Sequence, residues 1–340
     1  MANSLVYFSP SEIQARRLIA QLLASSDAQE INDRTPQSVA RYMLCTQGQD
    51  YAGGLTALAL RAGYTAKFES ARSSAWDRFM ISESGEQEII RTWSQRGTLH
   101  FLHRDDWNVV KLMGSRALGK KETRAARFGQ SPEDYDAIQN RIRSFIDSKT
   151  PCPVSRQEIR DALNLSSSEA SHHLRVLGCQ GIIAQGQRIG IHDSFFTSPW
   201  STENFSPDHV VVEVVERYFS TRGPARLEDI LWWSKLPKTS IVQALEALTS
   251  HDRLLQVFDE NGSSMWLGPW QSDVTPAEIA ATLEQEIWLP PFDEFMMSYT
   301  IRSEIFSPTC NPCEALTKNG ISWPFVVANG QIQGRLTTSA

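Results

Sequence analysis

Two amides stand one residue apart in the stretch CTQGQDYAGG, where Gln47 and Gln49 flank Gly48 and Asp50 follows. An amide does not titrate in water, so neither Gln can serve as a general acid or base. Its carbonyl oxygen can accept a hydrogen bond from a water, and its dipole can face a developing cation. Placing a water in this way lowers a barrier without any proton transfer. The pair therefore suits hydrolysis of a bond that the substrate has already weakened; the plainer reading is a polar turn between two helices. Asp50 also has two readings, as a general base or as the N-cap of the helix that YAGGLTALALRAG predicts.

Arg91, Trp93, Arg96, Thr98 and His100 make a second constellation, within QEIIRTWSQRGTLHFLHR. That stretch predicts two strands joined through SQRG, and a period of two sets Arg91 and Trp93 on one face and Arg96, Thr98 and His100 on one face. An Arg beside an aromatic can hold a phosphate or stack on an extruded base. The same two side chains can equally be a core Trp and an ion-paired Arg. Downstream, RALGKKETRAARF sets Arg116, Lys120, Lys121, Arg124 and Arg127 against Glu122 alone, a pattern of phosphate contact or of a solvated basic face. No metal site is expected: His100 and His103 differ by three along a strand, and Cys310 and Cys313 of CNPC have no second Cys/His pair nearby. No cofactor is implied. His172 and His173 read as surface residues.

Three stretches repeat one plan that could position these groups. PEDYDAIQNRIRSFIDS has helical apolar spacing. SRQEIRDALNL and SSSEASHHLRVLGCQ follow as two further helices, the first with Ser155 and Glu158 in capping-box spacing. GIIAQG and RIGIHDSFF close the unit as strands. The order recurs in PDHVVVEVVERYFSTRG, RLEDILWWS, KTSIVQALEALTSH and RLLQVFDENGSSMWLGP, a winged-helix plan met twice. The N-terminal part is longer: helices in SPSEIQARRLIAQLL, TPQSVARYMLC and SSAWDRFMI, with YAGGLTALALRAG between the last two, precede its hairpin. The expected fold class is α+β, with winged-helix modules at 1–128, 129–199 and 200–275 and a β-rich cap at 276–340, turning at Asn329-Gly330. The last residues do not make a complete element, as expected of a chain cut short.

Charge narrows the functions. The net charge of the 340 residues is −6, yet residues 61–128 carry 13 basic against 8 acidic side chains and residues 198–340 carry 9 against 18. A local basic face can bind phosphates while the rest keeps the protein dispersed. No apolar run is long enough for a membrane helix, the start lacks the build of a signal peptide, and five scattered Cys argue for a reducing compartment. A cytoplasmic monomer is expected.

QGQDYAGGLTALALRAG, RTWSQRGTLHFL and LPPFDEFMMSYTIRS, in this order, resemble the AlkZ-type tandem winged-helix DNA glycosylases. The resemblance spans nearly the whole chain. It implies a C-shaped array of three winged helices around a basic channel, double-stranded DNA as partner, and excision of alkylated purines, bulky adducts and interstrand crosslinks included. It also implies that Gln47 and Gln49 are the catalytic Gln-x-Gln, with Gly48 where that branch commonly has a bulkier apolar residue. Such a purine is cationic and leaves neutral, so a positioned water suffices. The nearest Lys in sequence to Gln47 is Lys67, and a monofunctional enzyme is expected. The remaining alternatives are a DNA-binding regulator without chemistry and a scaffold that binds protein.

Overall fold

Side-chain caps set most of the helix starts. Ser9, Thr35, Asp50, Ser131, Ser155, Ser166 and Thr275 each accept an amide from the residue three positions on, and three of these starts are full capping boxes. A computed structural model describes residues 5–29, 31, 33–64, 77–80, 86–186, 194–200 and 205–336. The chain begins with β1 (Tyr7–Phe8), α1 (Pro10–Ala20), α2 (Pro36–Met43), β2 (Thr46–Gln47) and α3 (Tyr51–Arg61). β3 (Ile89–Trp93), β4 (Leu99–His103), α4 (Trp107–Arg116) and α5 (Lys121–Ala126) complete the first third. The helix expected in SSAWDRFMI falls mostly outside the described residues; what is described of it is a 3-10 turn at Asp77–Met80.

α6 (Pro132–Asp147), β5 (Val154–Ser155), α7 (Arg156–Leu163), α8 (Ser167–Cys179), β6 (Ile183–Gln185) and β7 (Ser194–Thr197) follow. Then come α9 (Pro207–Arg222), α10 (Leu227–Ser234), α11 (Lys238–Ser250), β8 (Leu255–Asp259) and β9 (Ser264–Leu267). The remainder is α12 (Pro276–Leu283), β10 (Glu286–Leu289), α13 (Glu294–Met297), α14 (Arg302–Ile305), α15 (Pro312–Ala315), β11 (Phe325–Ala328) and β12 (Gln331–Arg335). Asn329 and Gly330 both take positive φ, 51° and 75°, which is the hairpin geometry that this dipeptide favours.

The units expected from the sequence are not strung out separately. One six-stranded sheet runs β2-β4-β3-β6-β7-β5, so strands from before and after α6 share it. The joint is the pair Arg91↔Gln185 between β3 and β6. β1 likewise pairs in parallel with β8, far along the chain. The C-terminal strands form their own sheet, β10-β11-β12. The largest apolar core runs through α1, α4, α9, α10 and the C-terminal strands, taking in Leu18, Ile90, Leu102, Trp107, Val214, Trp233, Leu289 and Phe295. Burial of this apolar surface is the main force closing the chain around β2.

Candidate active site

β2 is held short and straight by its neighbours. Gly48 donates its amide to Leu99 O at 2.8 Å, and its carbonyl accepts from Arg91 Nε at 2.9 Å. A Cβ on Gly48 would lie 3.1 Å from the Phe101 ring and 3.2 Å from the His100 carbonyl carbon, so this strand end leaves little room for a side chain. A Cβ on Gly54 would stand 2.5 Å from Gln47 O and 2.7 Å from Phe101, so α3 can lie on β2 only with glycine there. Asp50 Oδ1 accepts from Gly53 N at 2.7 Å and starts α3. Each piece fixes the direction in which Gln47 leaves the strand.

Gln47 is 3% exposed, and neither atom of its amide has a partner. Its register partner is His100, which also faces Thr92, and directly opposed residues share a face. His100 is wholly buried. Its Nδ1–H donates to Thr98 O at 2.8 Å, which leaves Nε2 as a bare acceptor, also unpartnered. Burial pushes the His100 pKa well below 6.5, and the Arg96 charge pushes it further, so the ring is neutral at pH 7. In the turn Gln95–Gly97, the amide of buried Gln95 and Nη2 of Arg96 are without partners too. Gln47 on β2, His100 on β4 and Gln95 and Arg96 in the turn between β3 and β4 thus all carry buried side-chain atoms without a protein partner, where native structures pair nearly all such groups. Gln49 is exposed, one step further out along the chain.

Behind the strand the chemistry reverses. Glu294 Oε1 accepts from Gln47 N at 3.1 Å, while Oε2 accepts from Arg222 Nη2 (3.1 Å), Trp233 Nε1 (3.1 Å) and the Ser298 hydroxyl (3.0 Å). Arg222 also donates to Cys45 O at 2.8 Å. Asp293 takes both ends of the Arg61 guanidinium, at 2.8 and 2.9 Å, in a fully buried pair. The stretch LPPFDEFMMSYT thus holds the Gln47 backbone directly and the Cys45 backbone through Arg222. The sequence alone assigns Asp293 and Glu294 no role; two adjacent acids amid apolar residues are the signal that points to one. Cys45 is no nucleophile, because burial pushes its thiol up to about 12.

The other expected contacts divide. Arg91, at 4% exposure, ties Gly48 O to Gln185 Oε1 (2.7 Å) and lies over the Tyr51 ring. Trp93 stacks on Phe195 at 6.3 Å between ring centroids, inside the core. These two and His100 were expected to touch DNA, but all three are buried, Arg91 and Trp93 against β6 and β7 and His100 between β2 and β3. Arg96 sits in the turn rather than on a strand, at φ 57°, with its guanidinium 4.6 Å over Trp232. His173 was expected at the surface and is fully buried, against Phe128 and Tyr135. Arg116 and Lys120 are exposed, Lys121 pairs with Asp136 at 2.8 Å, and Arg124 lies 5.7 Å over Tyr135. Lys67 lies outside the described residues. Among those described, no group of three or more His, Cys, Asp or Glu could hold a metal ion, and no helix is long and apolar enough to cross a membrane.

The chain is a member of the DNA glycosylase AlkZ-like family, whose model matches residues 41–340, and it is a DNA glycosylase. It is similar to the interstrand DNA cross-link repair glycosylase of Streptomyces sahachiroi, 22% identical over 282 residues that cover 77% of this chain and 74% of the relative. It also resembles the solved structure of Streptomyces sahachiroi DNA glycosylase AlkZ, with a TM-score of 0.70 at 20% identity over 96% of this chain and 87% of that one. At that identity the likeness speaks for the mixed α+β fold.

Proposed function

We propose that the protein is a monofunctional glycosylase that hydrolyses the N-glycosidic bond of cationic alkylated purines in duplex DNA, crosslinked purines among them, on three tandem winged-helix modules. The observation that carries this reading is the buried, unpartnered amide of Gln47. A base alkylated at N7 or N3 bears a positive charge and departs neutral, so no general acid is required. What remains is a water on C1′ and a transition state with cationic character at the sugar. The carbonyl oxygens of Gln47 and Gln49 accept from that water and orient it. His100 Nε2 adds a second neutral acceptor beside Gln47, and its lowered basicity makes it a dipole rather than a base. Such a site fails on an unmodified purine, which supplies no charge of its own.

Arg116, Lys120, Lys121 and Arg124 hold the phosphates, and Arg96 extends this basic surface towards the amides. The name of the Streptomyces sahachiroi relative, a cross-link repair glycosylase, supports crosslinks within the substrate range. The test is a duplex carrying one N7-methylguanine. The reading expects abasic sites that become strand breaks only with alkali or heat. No release of the base, or a covalent protein–DNA adduct trapped by borohydride, overturns it.

A further inference from the structure

Between α5 and α8 lies an open pocket of about 210 Å³. Lys120, Thr123, Arg124 and Arg127 line it from one side, His172 and Arg175 from α8. Four cations face the space and no carboxylate lines it. We propose that this cavity seats one phosphodiester of the DNA backbone, so that α8, the second helix of the α7–α8 pair, grips DNA by charge instead of reading bases. The proposal rests on duplex DNA being the substrate, the binding half of the proposed function.

Two observations support it, and the chemistry of guanidinium agrees. Arg124 keeps a buried Nε without a partner, although its guanidinium lies over Tyr135. His172, which hydrogen-bonds the Tyr135 hydroxyl at 2.7 Å, is pushed down to about 4, first by burial and then by His173, Arg124, Arg127 and Arg175, as expected where positive charge is concentrated without a counterion. Planar guanidinium groups around a small polar cavity match the oxygens of a phosphate.

The cavity is also tied to the candidate active site. Arg175 Nε donates to Gly97 O at 3.1 Å, and Gly97, at φ 65°, has no room for a Cβ beside that guanidinium. Gly97 ends the turn that carries Gln95 and Arg96. A phosphate on the remaining nitrogens of Arg175 therefore fixes the turn from outside while DNA approaches Gln47. Arg175 acts as a positioning residue, and the phosphate is its counterion.

The test is duplex affinity as a function of salt. One lost phosphate contact lowers the slope of log affinity on log salt by about 0.9, so the loss of affinity between 50 and 200 mM shrinks by about 3.5-fold. Arg175→Gln and Arg127→Gln should each do this, equally for unrelated sequences; Arg127 is exposed, so its variant tests the cavity without touching the Gly97 bond. Arg143→Gln, on the solvent face of α6, should leave the slope unchanged. A scan of single neutral methylphosphonate linkages should find one position that weakens wild type and not Arg127→Gln. Unchanged slopes in both cavity variants, a sequence-dependent effect, or no sensitive linkage overturn the proposal. A wild-type chain that binds duplex without excising overturns only the catalytic reading, whereas one that does not bind overturns both.

Discussion

The two sides of β2 are built on opposite principles. Behind it lies a bonded buried network around charges: Glu294 takes four donors, and Arg222 donates from Nε, Nη1 and Nη2. In front of it, Gln47, Gln95 and His100 are neutral and carry unpartnered atoms. A satisfied buried ion network specifies one backbone arrangement. An unsatisfied buried amide or imidazole costs about 1–3 kcal/mol and persists where selection for function holds it. On the proposed function, the contrast separates rigidity from reactivity: the buried ion network fixes the backbone, and the unpartnered dipoles are left for the substrate.

That contrast can be broken by substitution. The largest effect should come from Glu294→Ala, which leaves Arg222 buried without its counterion and should destabilise by about 3–5 kcal/mol, read from urea unfolding. A loss under about 1 kcal/mol would mean that the carboxylate does not hold the strand. Next, Gln49→Ala should slow single-turnover excision by roughly ten- to a thousandfold, about 1.4–4 kcal/mol, with duplex affinity nearly unchanged because no charge is removed. Full activity would leave Gln49 a turn residue.

A pH effect follows in size. His100, His172 and His173 all have lowered pKa values, the last two at about 4, whereas the unfolded chain titrates them near 6.5. Above that value both states hold these rings neutral, and folding releases no proton from them. As pH falls from about 6.5 towards 4 the unfolded state binds more protons, so stability should drop over this window. His173→Gln should flatten the decline in Tm; an identical profile would remove His173 from it. The smallest effect should be that of Asp50. Asp50→Ala should cost about 1 kcal/mol as a lost cap, and Asp50→Asn only a few tenths. Abolished excision in Asp50→Asn would instead make the carboxylate the base.

Much of this scaffold is legible in the amino-acid sequence. Ser155 with Glu158, the Asn329-Gly330 turn and the hairpin around Gln95–Gly97 are local signals, and each depends on a few adjacent residues. The site is legible only in part. Period two sets Arg91 and Trp93 on one face but does not give what they meet, which here is Gln185 of β6 for Arg91 and Phe195 of β7 with Gly178 of α8 for Trp93. The Arg91–Gln185 contact spans most of a hundred residues and leaves no local mark. His173 reads as a surface residue because the spacing of α8 does not reveal that Phe128 and Tyr135 close over it. Glu294 lies 247 positions from the amide it accepts, and only folding brings them together.

The central claim is that Gln47 is held ready at a cost in stability, and Gln47→Met tests it most directly, since Met fills a similar volume without the orphaned amide. Excision of N7-methylguanine and the unfolding midpoint are measured on the same preparation. The account predicts that excision falls at least tenfold while the midpoint stays or rises. Excision at the wild-type rate, or a midpoint lowered as for Glu294→Ala, would contradict it.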